Sequence, residues 1–291
     1  MSGPVGNPKA LDAMAPNVMD HGTMRALLEP LTALANEAGE AILKVRRGMV
    51  AVKEKADGSP VTQADLAADR IIADGLSRLA PALQTLSEER ACAIKPPFPA
   101  TFFLIDPLDG TKEFIAGRDE FTVNIALIVN GTPVLGIVGA PALGLTWRGL
   151  LGHGAERITD ISAGRTVDRV RTRPMPGPGK PWIAAVSRSH GDPRTDAFIA
   201  NRPGATRQTL GSALKFCRVA DGGVDIYPRL SPTCEWDVAA GHAVIVAAGG
   251  QVTDAQGRAL RYGTGREGFI LPNFIAWGDP SAAPQPGPTQ N

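Results

Sequence analysis

A buried apolar run that ends in two closely spaced carboxylates constrains this chain more than any other feature. Residues 102–105 are Phe, Phe, Leu and Ile, a pattern typical of a fully buried strand. Pro107 has no backbone N–H, so regular pairing is expected to stop there, and the Asp-Gly pair at 109–110 is a turn signal. Asp106 and Asp109 are therefore predicted to lie three residues apart on a tight corner.

This acidic corner suits a hard cation. Short carboxylate side chains on a constrained loop supply oxygen ligands, and the Leu108 carbonyl is free to supply another. The alternative is an ordinary turn that closes the strand, and the Asp-x-x-Asp-Gly pattern by itself favours that alternative. The choice between them depends on what the rest of the chain adds.

Composition limits the kinds of partner. The 291 residues are 43% hydrophobic and 20% charged, with a formal net charge of +1, so neither a nucleic acid polymer nor an anionic membrane is expected as the main partner. Cys92, Cys217 and Cys234 have no Cys-x-x-Cys spacing, which argues against a disulfide framework or a zinc site.

No apolar run reaches the length of a membrane span. We expect a cytoplasmic protein; association with the inner face of the membrane, and the choice between monomer and homodimer, stay open.

Alternating predicted strands and helices indicate a layered α/β protein. The predicted helices lie at 24–47, after Thr62, and at 193–201, 212–221 and 236–248, and the predicted strands at 83–86, 102–105, 121–129, 133–140, 182–187 and 224–229. Asn130-Gly131 predicts a hairpin between two of the strands, residues 57–60 predict a loop, and residues 149–173 predict edge strands and loops.

The chain is predicted to contain two sub-domains. Residues 1–22, which are rich in Gly, Pro and Asn, predict a disordered leader, and the proline-rich residues 279–291 predict a solvated tail. A run of Pro and Gly at 175–181 is predicted to link a metal-binding α+β sub-domain at 23–174 to a substrate-binding α/β sub-domain at 182–278.

Three further acids are candidate partners of the acidic corner. Glu88 and Glu89 follow a predicted strand, although adjacent glutamates more often mark a solvated turn. Asp65 lies in the first turn of a predicted helix, and Asp237 lies at the start of another, where either side chain has an ordinary role beside the helix dipole. Taken singly, each acid is more often structural than catalytic.

Taken together, three segments resemble a known superfamily. They are Ser87-Glu88-Glu89, Asp106-Pro-Leu-Asp-Gly-Thr111 and Trp236-Asp237-Val-Ala-Ala-Gly241. The pattern is similar to that of the Mg²⁺-dependent, lithium-sensitive phosphomonoesterases that include inositol monophosphatases and fructose-1,6-bisphosphatases. This resemblance implies a five-layered α-β-α-β-α sandwich whose two sub-domains meet at the metal site.

Within that superfamily the chain most resembles the bacterial 3'(2'),5'-bisphosphate nucleotidases of the CysQ type. The matching segments lie at 59–65, 109–115, 120–128, 187–190, 211–217 and 227–229. Lys112, Glu113 and Phe114 separate this branch from the inositol monophosphatases, which tend to have a Thr-Asn-Phe sequence there. The resemblance covers about residues 24–272.

The resemblance also implies the roles of the site residues. Glu88, Asp106, Asp109, Asp237 and the Leu108 carbonyl would hold two or three Mg²⁺ ions, and Thr111, with Glu88 or Asp65, would orient and deprotonate the attacking water. The substrate contacts would be Glu88, Leu108, Asp109, Gly110, Thr111 and Asp237 at the metal site, and Ser187, His190, Gly211, Ser212, Lys215 and Arg229 around the nucleotide and its 5'-phosphate.

Physical chemistry supports part of this set, since paired metal ions neutralise charge in phosphate ester hydrolysis, and a lysine with an arginine can clamp a phosphate. The alternatives are an exposed helix face for Lys215, a salt bridge for Arg229 and an idle surface imidazole for His190.

The sequence thus predicts a Mg²⁺-dependent phosphatase of sulfur metabolism. It would remove the 3'-phosphate of 3'-phosphoadenosine 5'-phosphate, giving AMP and phosphate, or act on the related sulfated nucleotide. An inositol phosphate or sugar bisphosphate phosphatase is the alternative with the same chemistry, because fold and metal site do not choose a substrate. A non-catalytic nucleotide sensor is the more remote alternative, and the complete acidic set with Thr111 argues against it.

Overall fold

The structure is a computed structural model that describes residues 19–48, 52–54, 60–93, 96–161, 164–202 and 204–285. Most of the predicted leader, residues 57–59 of the predicted loop and the end of the predicted tail lie outside these ranges. Among the helices in the described ranges, none combines the length and the apolar composition needed to cross a membrane.

The described ranges contain seven α-helices and sixteen strands. The helices are α1 (His21–Ala26), α2 (Leu28–Arg46), α3 (Gln63–Leu79), α4 (Thr111–Ile115), α5 (Pro193–Ala200), α6 (Leu214–Ala220) and α7 (Glu235–Ala247). The strands of the first half are β1 (Val52–Glu54), β2 (Pro60–Thr62), β3 (Gln84–Ser87), β4 (Thr101–Asp109), β5 (Thr122–Val129), β6 (Thr132–Ala140), β7 (Leu145–Leu150), β8 (Gly154–Ile161) and β9 (Gly164–Val170). Those of the second half are β10 (Ile183–Ser187), β11 (Thr206–Leu210), β12 (Ile226–Arg229), β13 (Thr233–Cys234), β14 (Gln251–Thr253), β15 (Ile270–Leu271) and β16 (Phe274–Trp277).

Two large sheets alternate with three helical layers. Of the strands described, seven form the first sheet in the order β3-β4-β5-β6-β7-β8-β9, and five form the second in the order β11-β10-β12-β16-β14. Helices α2 and α3 pack on the outer face of the first sheet, α6 and α7 lie between the sheets, and α5 packs on the outer face of the second. The predicted five-layered α-β-α-β-α sandwich is confirmed.

Both faces of the central strands β4 and β5 are buried, which explains why these strands have continuous apolar sequences. In β5, Ile125 and Leu127 face the outer helices, whereas Ala126 and Ile128 face α7, as the two-residue period of a strand requires. A helix covers each face, so neither face needs polar residues.

The middle layer joins the two predicted sub-domains. Helix α7 belongs to the second half of the sequence, but it packs mainly against β4 to β7 of the first sheet. One continuous apolar cluster contains residues of both sheets, of α6 and of α7. The two halves therefore share a core.

Helix α7 approaches β6 closely because Gly136 has no side chain. A Cβ atom on Gly136 would lie 2.2 Å from the backbone oxygen of Ala240 in α7, whereas one on Gly139 in the same strand would lie 3.7 Å from its nearest neighbour. We expect Gly136→Ala to lower the free energy of unfolding by about 3 kcal/mol, since helix backbone cannot move aside cheaply. Gly139→Ala is the matched control and should change it by less than about 1 kcal/mol. Urea denaturation measures both values, and equal midpoints for the two variants would contradict the packing argument.

Two helical predictions differ from the structure. The predicted helix at 24–47 is two helices, because Pro30 lies in the first turn of α2 and cannot donate a hydrogen bond to the preceding turn. Helix α1 begins at His21, within the range predicted as a leader. The Thr62 cap, in contrast, is confirmed as the N-cap of α3.

The strand predictions missed several strands of the second half, among them β11, β14 and β16, and described β8 and β9 only as edge strands and loops. Strand β11 pairs in parallel with β10, but it is mostly exposed and polar and gave no apolar signal. Residues 149–173 contain the regular strands β8 and β9 at the edge of the first sheet. The predicted hairpin at Asn130-Gly131 is confirmed, since β5 and β6 pair around it.

The first part of the predicted solvated tail is packed. The Asp279 carboxylate accepts hydrogen bonds from the backbone of Met175 at 2.9 Å and of Ser281 at 2.9 Å. Ala283 is buried in the cluster that contains Trp277. The prediction of a solvated tail is therefore wrong for Ala283, whereas Pro280, Ser281, Pro284 and Gln285 are exposed as predicted.

Candidate active site

Two neighbouring strands bring Glu88 and Asp106 together. Strands β3 and β4 pair in parallel, and Ser87 at the end of β3 lies beside Ile105 of β4. The next residue of each strand, Glu88 and Asp106, therefore lies at the same edge of the sheet. The pairing of β4 with β5 is interrupted between Asp106 and Asp109, as the proline predicted. Within this bulge the backbone N–H of Leu108 donates to Asp106 Oδ1 at 3.0 Å.

The other two acids are held by helix caps. Asp65 is the third residue of α3, and its Oδ2 accepts from the Thr62 backbone N–H at 2.7 Å and from the Thr62 hydroxyl at 2.6 Å. Asp237 is the third residue of α7, and its Oδ2 accepts from Cys234 N at 3.2 Å and from the Thr233 hydroxyl. Each capping box thus fixes the direction of an acid at the site.

Glu88, Asp106 and Asp237 form a cluster that fits a metal ion. One carboxylate oxygen from each lies within 4.8 Å of the others. Burial, followed by the charges of Glu88, Asp109, Asp237 and Asp65, raises the pKa of Asp106 well above its ordinary value. Burial and the charge of Asp109 raise the pKa of Asp237 to about 6. Carboxylates held this close repel one another unless a cation lies between them, and all-oxygen ligands suit Mg²⁺.

Thr111 contacts Asp65 directly. Its hydroxyl lies 3.1 Å from Asp65 Oδ1 and 3.2 Å from the Leu108 carbonyl oxygen, either of which it can donate to. Gly110 precedes it with φ of +88°, a conformation that a residue with a side chain adopts only with strain. This turn starts α4 and places the Thr111 hydroxyl between the acidic corner and α3.

Asp109 binds a residue from the second half of the chain. Its Oδ2 accepts from the Ser212 hydroxyl at 2.8 Å and from the Asn124 amide at 3.4 Å. Ser212 has φ of +52°, a strained conformation for a residue with a side chain, and its hydroxyl is also 2.6 Å from that of Thr122. Ser212 therefore links the acidic corner to the loop before α6.

A cleft of about 950 Å³ contains most of the predicted site residues. It is lined by Glu88, Asp106, Leu108, Asp109, Gly110, Thr111 and Asp237 from the acidic set, and by Ser187, His190, Ser212, Lys215 and Arg229 from the substrate set. Asp65 is buried behind Thr111. Gly211 is also buried away from the cleft, where its backbone N–H donates to Glu120 Oε2 at 3.0 Å.

Lys215 and Arg229 are held inside the cleft rather than on an exposed face. Lys215 is 3% exposed, and its Nζ donates to the carbonyl oxygens of Ser212 at 2.6 Å and Leu210 at 3.3 Å. Burial lowers the pKa of Lys215 to about 8. Arg229 Nη2 donates to Pro232 O at 3.4 Å, whereas its Nε is buried and, within the described residues, has no hydrogen-bond partner. Both cations keep donors for an anionic ligand.

A family model described as the inositol monophosphatase family matches residues 23–285. The chain belongs to the inositol monophosphatase family. A relative within it, the 3'(2'),5'-bisphosphate nucleotidase CysQ of Shigella flexneri, is 42% identical over 256 residues, which cover 85% of this chain and 98% of the relative. CysQ of Haemophilus influenzae is 31% identical over 263 residues, with 88% and 94% covered.

Solved structures of the inositol monophosphatase family have the same fold. CysQ from Bacteroides thetaiotaomicron superposes with a TM-score of 0.71 at 34% identity, covering 88% of this chain and 96% of that chain. The Thermotoga maritima IMPase gives a TM-score of 0.68 at 26% identity, covering 87% and 92%. The predicted family and fold class are confirmed, and the predicted activity agrees with the names of the CysQ relatives.

Enzymes of the inositol monophosphatase family are generally Mg²⁺-dependent. The oxygen-only cluster of Glu88, Asp106 and Asp237 fits that metal. The number of ions stays a prediction, as do the oligomeric state and the location in the cell.

Sequence reasoning missed several cleft residues of this family member. Lys112 Nζ lies 3.4 Å from His190 Nε2, and the Ser189 hydroxyl donates to the buried Glu113 carboxylate. Arg266 lines the cleft and donates to the buried Glu235 at 3.4 Å. The Lys-Glu-Phe segment that follows Thr111 was the available signal for Lys112, whereas Arg266 lies in a loop with no pattern of its own.

Proposed function

We propose that this protein hydrolyses the 3'-phosphate of 3'-phosphoadenosine 5'-phosphate, giving AMP and phosphate, in a reaction that uses Mg²⁺. The observation that carries the proposal is that one cleft contains both a three-carboxylate cluster and a pair of inward-facing cations, Lys215 and Arg229. A substrate with two phosphates would bind to both groups. The names of the CysQ relatives support the same substrate.

The acidic residues would hold the metal ions. Glu88, Asp106 and Asp237 would be ligands together with Asp109 and the Leu108 carbonyl, and we propose two or three ions. When bound, Mg²⁺ neutralises charge on the phosphate oxygens and lowers the pKa of the attacking water.

Thr111 and Asp65 would position that water and accept its proton. The Asp65 carboxylate is fixed by two hydrogen bonds from Thr62, so its second oxygen is presented to Thr111. A water that donates to Thr111 Oγ1 would pass its proton through the hydroxyl toward Asp65. Because the structure pairs Thr111 with Asp65, we assign the proton acceptor to Asp65 and the role of metal ligand to Glu88.

The residues of the cleft outside the acidic cluster would bind the 5'-phosphate and the base. Lys215 and Arg229 would bind the phosphate, with Ser187, His190 and Ser212 beside them. Gly211 would act through the close approach of its loop to Glu120 rather than by contact with the ligand. Phe98, Trp236 and Phe269 form an apolar wall that suits a purine better than a second sugar. This wall favours the nucleotide over inositol phosphates and sugar bisphosphates.

Phosphate release from three substrates tests the proposal. With Mg²⁺, kcat/KM for 3'-phosphoadenosine 5'-phosphate should exceed that for inositol 1-phosphate and for fructose 1,6-bisphosphate by about a hundredfold or more, which is about 2.7 kcal/mol. An Asp106→Asn preparation purified in parallel corrects for contaminating phosphatases. A preference for either other substrate would overturn the substrate and leave the metal site standing, whereas nucleotide binding without phosphate release would indicate a sensor.

A further inference from the structure

Lys112 and His190 face each other across the cleft from different sub-domains. Lys112 follows Thr111 in α4, and His190 lies in the loop between β10 and α5. The Lys112 Nζ atom is 3.4 Å from His190 Nε2, and both side chains line the cleft. None of the roles proposed above uses Lys112.

The chemistry of this contact restricts the protonation of His190. An ammonium group can only donate hydrogen bonds, so the contact requires His190 Nε2 to be an acceptor on a neutral ring. Once the ring is protonated, two donors face each other, and both are satisfied only if an acceptor lies between them. A phosphate group has several acceptor oxygens and the negative charge that two cations require.

The groups around His190 keep the ring neutral in the free protein. The pKa of His190 is lowered by the protein atoms that surround it, then by the charges of Arg229 and Lys112, and to a smaller extent by Lys215. Glu113, packed on the same side in α4, acts in the opposite direction. Three cations from α4, α6 and β12 therefore act on one exposed imidazole, and a bound dianion would oppose their effect.

The loop that carries His190 is held in place before any ligand binds. The Ser189 hydroxyl donates to the buried Glu113, and the His190 backbone N–H donates to Ser187 Oγ at 3.2 Å. Arg188 binds Glu120 through two nitrogens at 2.7 and 2.8 Å. These contacts tie the loop to α4 and to the segment before β5, so the backbone that carries His190 is held beside the helix that carries Lys112.

We propose that Lys112 and His190 together bind the second phosphate of the substrate, and that this binding transfers one proton from solvent to His190. The inference rests on the proposed function, since it adds Lys112 to the donors proposed for the 5'-phosphate and gives a positive charge to His190, which is already placed beside that phosphate. Lys112 thereby determines specificity for a bisphosphate over a monophosphate. The ammonium and neutral imidazole of the free protein become a pair of cations that share the phosphate.

The first test is the pKa of His190 with adenosine 5'-monophosphate, which carries the second phosphate alone. NMR titration of the full-length protein follows the four imidazoles, and the spectrum of His190→Gln assigns the signal. The pKa should lie below 6.5 in the free protein and rise by about one unit or more in the complex. Adenosine, which has no phosphate, should leave it unchanged.

The sign of the pH dependence follows from that shift. Because the pKa is higher in the complex, affinity for adenosine 5'-monophosphate should be greatest below the pKa of the free ring and fall as the pH rises through the pKa of the complex. The second ionisation of the phosphate, at about pH 6, changes the affinity of every variant by the same factor. The ratio of wild-type to His190→Gln affinity therefore isolates the contribution of His190.

The second test compares two substrates in matched lysine variants. Lys112→Met should raise KM for 3'-phosphoadenosine 5'-phosphate about tenfold more than it raises KM for adenosine 3'-monophosphate. A tenfold difference is the loss expected for one charge-assisted hydrogen bond. Lys112→Arg keeps the charge and should recover most of the loss. Lys44→Met makes the same charge change on the exposed face of α2, outside the cleft, and should leave both KM values unchanged.

Either of two results would overturn the inference. One is a His190 pKa that does not move with adenosine 5'-monophosphate bound, and the other is a Lys112→Met loss of equal size on both substrates. Failure of the proposed function would give a different result. The wild-type protein would then prefer inositol 1-phosphate or fructose 1,6-bisphosphate, and the titration of His190 could still be measured.

Discussion

Replacing Asp106 by Asn is expected to lower kcat by roughly a thousandfold, or about 4 kcal/mol of transition-state stabilisation. Asp106 is only 2% exposed, and its carboxylate lies in the three-acid cluster that we propose holds the metal. An asparagine has the same shape and can still accept the hydrogen bond from Leu108 N, which is 3.0 Å long in the wild type. The loss should therefore come from the metal site and not from the fold.

Thermal unfolding with and without Mg²⁺ separates these two causes. In the absence of metal, Asp106→Asn should be at least as stable as the wild type, because it removes one of several mutually repelling buried charges. Mg²⁺ should raise the Tm of the wild type and have little effect on the variant, since a ligand stabilises only a protein that binds it. Asp160→Asn, an exposed change in β8, is the control. Near-normal turnover by Asp106→Asn would refute the proposed metal site.

Replacing Thr111 by Val is expected to lower kcat by about a hundredfold to a thousandfold with a smaller change in KM. Valine keeps the shape of threonine but cannot connect water to Asp65, and positioned proton transfer contributes about 10² to 10⁴ in rate. Thr111→Ser keeps the hydroxyl and is the matched control, so it should retain most of the activity. A Thr111→Val enzyme within about threefold of wild type would exclude the hydroxyl from proton transfer.

A double-mutant cycle tests whether Thr111 and Asp65 act as one unit. Asp65→Asn should lower kcat by a similar factor, and the double variant should lose little more than either single variant. Asp65 also caps α3, so its replacement is expected to reduce stability by about 1 kcal/mol, which thermal unfolding measures separately. Losses that multiply in the double variant would show that the two residues act independently.

The parts of the fold and site that the sequence predicted depend on local signals. The Thr62 cap lies three residues from Asp65, and the capping box forms within one turn of α3. Asn130-Gly131 specifies a tight turn, and β5 and β6 pair around it. The acidic corner could be predicted because Pro107 interrupts pairing within the strand that carries it.

The parts that it did not predict depend on contacts between distant residues. Lys112 and His190 are 78 residues apart, and Glu120 and Gly211 are 91 apart, so no local pattern connects them. Strand β11 is polar because it lies at the edge of its sheet, and only its pairing with β10 reveals it. The resemblance to a family supplied the candidate residues, whereas their hydrogen-bond partners required the fold.

The position of α7 in the middle layer has a consequence for synthesis on the ribosome. Asp237 reaches the acidic cluster only when α7 covers the inner face of the first sheet, and the second sheet is complete only when β16 has inserted between β12 and β14. Until then, a nascent chain that has formed the first sheet exposes Ala126, Ile128 and their apolar neighbours to water. We therefore expect the first half to be prone to aggregation while the second half is being translated. A chain that stops before β16 yields an aggregation-prone fragment rather than a weak enzyme.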